Sequence, residues 1–138
     1  MYLTEKAIVE KDNRPINVGI FDLLIFKWPF AAIVSITHRI AGVALMVVIG
    51  IGLYALELSL SSEAEFNELK MMIASPLVKI VIWGSLSVLA YHFVAGVKHL
   101  IVDFGVGETL EGSLFAARTV VLVSIILIVL AGIWVFQP

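Results

Sequence analysis

YHFVAGVKHLIVDFG, residues Tyr91 to Gly105, sets two histidines and an aspartate into a segment that is otherwise almost wholly apolar. His92 and His99 are seven residues apart, and Asp103 follows four residues later. At about 100° per residue, a helix points His99 and Asp103 within roughly 20° of the direction of His92. Ser85 extends the line backwards, and Gly96 lies about 40° from it. A stripe of polar and small residues therefore runs down one side of a helix whose other sides are apolar. Such a stripe faces something other than lipid.

Outward from this stretch the chain stays apolar. Of its 138 residues 61% are hydrophobic and 14% charged, whereas soluble proteins carry about 25% charged residues. Uncharged runs at Ile40 to Leu56, Ile80 to Val97 and Thr119 to Phe136 each approach the roughly 20 residues that cross a hydrocarbon core. The runs are continuous rather than alternating, and backbone groups in lipid must pair internally, so helices are expected. The fold class is an all-α membrane protein with three transmembrane helices at about 30–58, 76–104 and 113–136. Residues 1–29 form a polar N-terminal arm that becomes amphipathic, with Lys27, Trp28 and Pro29 as an interfacial anchor.

Local signals mark the boundaries. Ser62 with Glu65 is a capping-box pattern inside the connection Leu58 to Pro76. Ser75-Pro76 reads as an N-cap followed by proline at the first helical position. Gly105, Gly107 and Gly112 break the chain, and Ser113 can cap the third helix. Lys6, Lys11, Arg14, Lys27 and Arg39 precede or open the first span, and Lys98 and Arg118 flank the second loop. The excess of positive charge predicts a cytoplasmic N-terminus and a periplasmic C-terminus. No signal or transit peptide is recognisable, which favours a bacterial inner membrane. Cysteine is absent, so any redox group must be bound by histidine or held non-covalently. No phosphate-binding glycine loop, nucleophile triad or cysteine metal motif is present, and nothing points to nucleic acid.

His92 lies well inside a spanning run, where ionisable residues are costly and usually functional. Neutral imidazole is a common axial ligand of haem iron, and Gly96, one turn along the same face, lets a porphyrin edge approach the backbone. The competing reading is a histidine hydrogen-bonded to a neighbouring helix. His99 cannot bind the same iron, since seven helical residues span about 10 Å and axial nitrogens lie roughly 4 Å apart. The second ligand is therefore expected from another polypeptide, with His38 placed too near the interface to reach. His99 suits either the propionate side of the pocket or water at the interface.

Ser35-Ile36-Thr37-His38-Arg39 forms a second constellation. Ser35 and Arg39 are i, i+4 neighbours with His38 beside them, so a hydroxyl, an imidazole and a permanent cation converge. A quinone needs hydrogen bonds to its carbonyl oxygens and stabilisation of negative charge on reduction, which these groups supply. Haem propionates would also attract His38 and Arg39, while the plain alternative is an arginine snorkelling to lipid phosphates. Asp103 can pair with Lys98 or Arg118 or relay protons. Trp28, Trp83 and Trp134 read as lipid-interface or packing residues.

Taken together, Arg14-Pro15, Ser35-x-x-His38-Arg39 and His92-x-x-x-Gly96-x-x-His99-x-x-x-Asp103-x-Gly105 resemble the cytochrome b subunits of succinate dehydrogenase, respiratory complex II. The resemblance runs from about Arg14 to the C-terminus and departs from the family pattern at Ala41, Lys98 and Val102. It implies that His92 is an axial ligand of haem b, that Ser35 and Arg39 line the ubiquinone pocket, and that propionates lie near His38 and Arg39. It also implies a second membrane-anchor subunit supplying the other haem ligand, so that this chain is half of a heterodimeric haem-binding bundle. An iron-sulfur subunit and a flavoprotein subunit would dock on the cytoplasmic side. Under this reading the chain passes electrons to quinone and does not itself oxidise succinate. The alternatives are a quinol:fumarate reductase anchor and a structural membrane anchor without haem.

Overall fold

The computed structural model describes residues 27–137. The polar arm before Lys27, with Arg14-Pro15 and the amphipathic run, lies outside the described residues. Four helices follow one another: α1 Phe30–Ser61, α2 Glu63–Ala74, α3 Pro76–Asp103 and α4 Leu110–Phe136. Among the described residues there is no strand. Helices α1, α3 and α4 are long and apolar enough to cross a membrane. The molecule is all-α with three candidate spans, as the hydropathy pattern predicts.

Each boundary has a local cause. Pro29 precedes α1, and its carbonyl accepts hydrogen bonds from Ala32 and Ile33 N–H at 2.9 and 3.1 Å, so the fixed proline geometry begins a helix without interrupting one. The connection after α1 is itself helical. Ser62 caps α2 by accepting from Glu65 N–H at 3.2 Å, and the Glu65 carboxylate takes a hydrogen bond from the Ser61 hydroxyl. Ser75 in turn accepts from Val78 N–H at 3.4 Å, with Pro76 opening α3.

The third span starts earlier than Ser113. Thr109 is its cap, accepting from Gly112 N–H at 3.1 Å, and Ser113 belongs to the first turn, its N–H bonded to the Thr109 carbonyl. Gly112 is consequently a helical residue rather than a break. Gly105 and Gly107 make the turn, with φ of +83° and +82°, the left-handed region that glycine enters without steric cost. A Cβ on Gly112 would lie 2.8 Å from the Gly107 Cα, so its missing side chain lets the turn close against the helix.

Helix α3 packs chiefly against α4 and also against α1. The buried cluster is Val34, Ala95, Ala117 and Val120, flanked by Ala31, Tyr91, Val94 and Val121. These residues lie at the start of α1, the end of α3 and the start of α4, so the tightest contact is at one end of the bundle. Ala95 and Ala117 are 0% exposed; short side chains let helix backbones approach where lipid supplies no hydrophobic drive for association. Most large apolar side chains, among them Met46, Leu53, Leu122 and Trp134, point outward. Water would disfavour that surface at about 25 cal/mol per Å², whereas hydrocarbon does not. Towards the other end, Trp83 Nε1 donates to the Ile128 carbonyl at 3.0 Å, and the Phe136 ring meets its indole edge-on at 6.3 Å. Trp83 is therefore a helix-packing residue.

Candidate functional site

The tight end of the bundle brings one stretch of α1, Val34 to Gly42, against one stretch of α3, Tyr91 to His99. Tyr91 joins them. Its hydroxyl donates to the Val34 carbonyl at 2.9 Å and is hydrogen-bonded to the Thr37 hydroxyl. One residue further along α3, His92 Nδ1 lies 3.1 Å from the His38 carbonyl oxygen. A carbonyl can only accept, so Nδ1 carries the proton and the lone pair of the neutral ring is at Nε2.

Gly42 makes this approach possible. A Cβ there would be 3.0 Å from His92 Cε1, closer than nearly all real contacts, so the imidazole occupies the space that a side chain would fill. His38 stacks on His92, with ring centroids 4.2 Å apart and planes 20° from parallel. On its other side, the His99 ring lies 5.2 Å away at 40°. His38 Nε2 is buried without a hydrogen-bond partner and sits 3.6 Å from where a Gly96 Cβ would be.

The structure thus brings together His38, His92, Gly96 and His99. His38, expected too near the interface to share an iron with His92, lies with its ring stacked against His92. Stacked rings still cannot bracket one iron, since their lone pairs lie in the ring planes and do not point at each other. Gly96 is faced by the edge of His38. Ser35 is half-buried on α1, one turn before the exposed Arg39. Asp103, the last residue of α3, is exposed, and among the described residues it forms no ion pair with Lys98 or Arg118.

Spacing alone missed Tyr91, Thr37 and Gly42. Tyr91 and Thr37 each adjoin a histidine in sequence, which is the only hint of their position. Gly42 is one of several small residues in α1, and nothing local distinguishes it from Gly50, which has open space around it.

The three histidines do not form a protein-only metal cage; among the described residues no set of three metal-ligating side chains converges. Donor chemistry fits a planar metal-bearing group instead. One imidazole presents a free Nε2 lone pair, a second presents a buried unpartnered nitrogen, and a glycine lies between their helices. The apolar grooves between α3 and α4 and under α2 contain none of Ser35, His38, Arg39 or His92.

Comparison with known proteins gives a consistent result. The family model described as succinate dehydrogenase/fumarate reductase transmembrane subunit matches residues 10–131. The succinate dehydrogenase cytochrome b556 subunit of Coxiella burnetii is 36% identical over 125 residues, covering 90% of this chain and 98% of the relative. Its counterpart from Paracoccus denitrificans is 33% identical over 130 residues, 94% and 98% of the two chains. The mitochondrial cytochrome b560 subunit of Sus scrofa is 34% identical over 100 residues, 71% of this chain and 57% of that one.

Proposed function

This chain belongs to the succinate dehydrogenase/fumarate reductase transmembrane subunit family, and from that premise we propose that it is the cytochrome b anchor of a bacterial succinate dehydrogenase, holding haem b and a quinone in the inner membrane. The observation that carries the reading is the bond from His92 Nδ1 to the His38 carbonyl. It leaves Nε2 as a metal-ligating nitrogen on a membrane-spanning helix, oriented by a backbone partner as metal-bound imidazoles usually are.

His92 would be the haem ligand contributed by this chain, the buried His38 Nε2, Arg39 and His99 would bind the carboxylate groups of the haem, and Gly96 would leave room for it. The bound haem supplies one-electron redox chemistry at this end of the bundle. Because the stacked His38 and His92 rings do not point their lone pairs at one another, a partner membrane subunit would supply the other ligand to the haem. Ser35 and Arg39 bind the quinone. The hydroxyl donates to a carbonyl oxygen, and the guanidinium offsets negative charge as the quinone is reduced. His99 and Asp103 lie on the cytoplasmic rim, where Asp103 is exposed and can exchange protons with water. An iron-sulfur subunit and a flavoprotein subunit dock on that side and deliver the electrons. The family model spans both reaction directions, and the succinate dehydrogenase relatives favour succinate oxidation.

The test is the reduced-minus-oxidised optical spectrum of the complex purified with His92→Ala. The b-type signal should be lost or strongly reduced while succinate reduction of an artificial dye is retained. A fully occupied, unchanged spectrum would remove His92 as ligand, and absence of any b-type signal in the unaltered complex would leave only the structural-anchor reading.

A further inference from the structure

We infer that Gly42 and Tyr91 are positioning residues for the His92 imidazole, forming with the His38 carbonyl a backbone seat on α1 that fixes the tautomer and rotation of the ring. The inference rests on the reading of His92 as a haem ligand and deepens it.

Three contacts carry it. First, the His38 carbonyl is the partner of His92 Nδ1 at 3.1 Å, a contact that sets which nitrogen keeps its lone pair. Second, the ring lies in the space that a side chain at position 42 would crowd, a Cβ there falling 3.0 Å from His92 Cε1, so that the ring would have to give by a few tenths of an ångström. The atom that would have to move is part of the imidazole itself, so an added methyl group rotates or withdraws the ring. Third, Tyr91 donates to the Val34 carbonyl at 2.9 Å, one turn before His38. This bond holds α1 in register against α3 at the point where the seat is made. A one-residue slip of α1 turns its surface by about 100° and carries the carbonyl away from His92.

The consequence is electronic as well as steric. An imidazole whose remote N–H is hydrogen-bonded is a more basic ligand and favours the oxidised iron. Loosening the seat should raise the midpoint potential of the bound haem and alter its low-spin EPR signature, without touching the chemistry of succinate oxidation.

The experiment uses the assembled complex in detergent, with Gly42→Ala, Tyr91→Phe, His92→Ala and Gly50→Ala. Gly50 serves as the matched control, being on the same helix with nothing within 4 Å of its Cβ position. Gly42→Ala should lower haem content per complex several-fold or, where haem is retained, shift the midpoint upward and change the EPR g values. Tyr91→Phe should give a smaller shift of the same sign, and Gly50→Ala none. Succinate-to-dye activity should persist in Gly50→Ala, which lies outside the site. Should Gly42→Ala prevent assembly, Tyr91→Phe, which removes one hydroxyl and adds no bulk, decides the matter. Wild-type haem content, potential and EPR signature in Tyr91→Phe, and in Gly42→Ala where it assembles, would overturn the inference while His92→Ala still loses its haem. Retention of the full signature in His92→Ala would instead overturn the ligand reading on which it rests.

Discussion

His92 and His99 sit on the same stripe of α3, yet their surroundings differ. His92 reaches across to the α1 backbone, whereas His99 meets the His38 ring of α1 at 5.2 Å. Residue types and spacing made the histidines, Ser35, Arg39 and Asp103 legible, because charged and imidazole side chains stand out in an apolar chain. Gly42, Thr37 and Tyr91 were not legible as site residues, since each matters through a contact with a residue about 50 positions away. At this scale Arg39→Leu should cut quinone reduction about tenfold or more, as removal of a charge-assisted hydrogen bond costs roughly 1.5–3 kcal/mol. Succinate reduction of the dye should be unaffected. Equal quinone and dye activities in the variant would count against Arg39 as a quinone residue. Ser35→Ala should show the same split more weakly.

Elements are held together by small residues and by hydrogen bonds that cross between helices, from Tyr91 and His92 to α1 and from Trp83 to α4. Ala95 and Ala117 are wholly enclosed where α3 meets α4 and α1, so Ala95→Leu should overpack the contact and destabilise it by about 1–3 kcal/mol. Thermal inactivation of the purified complex would measure this, with an outward-facing change such as Met46→Leu expected to be nearly silent. Gly107 is a second sensitive point. Its φ of +82° makes Gly107→Ala cost about 1–2 kcal/mol. Trp83→Phe removes the donor to the Ile128 carbonyl, a loss of about 0.6 kcal/mol for a typical hydrogen bond within a membrane bundle. A Trp83→Phe complex as labile as Ala95→Leu would mean that the α3–α4 contact depends on polar bonding more than on packing. The helical character of the connection at α2 was half legible: the Ser62–Glu65 cap was visible, but the apolar positions that follow it have meaning only against α1 and α3.

Across the whole molecule, three membrane-crossing helices would put residues 62–75 on one face of the membrane and 104–109 on the other, and from the excess of positive charge we propose the cytoplasm for the second. The chain has no cysteine, so single replacements need no background removal. Glu68→Cys, exposed on α2, should react with a membrane-impermeant maleimide in intact cells. Glu108→Cys, exposed in the second turn, should react only after permeabilisation. The reverse pattern would invert the topology and place Ser35, Arg39, His99 and Asp103 at the opposite surface.

The sequence by itself determined that this chain is a three-span helical membrane protein with a polar stripe on its second span. Hydrophobicity, helical period and capping act over a few neighbouring residues and need no knowledge of the partner helix. Only the tertiary structure decided how the histidines are arranged. The stacking of His38 on His92, the free Nε2, the cleft at Gly42 and the Tyr91 bond to α1 all depend on the register and distance between α1 and α3. Those are set by close packing of small side chains such as Ala41 and Ala95, and van der Waals contact across helices leaves no periodic mark in either strand of sequence.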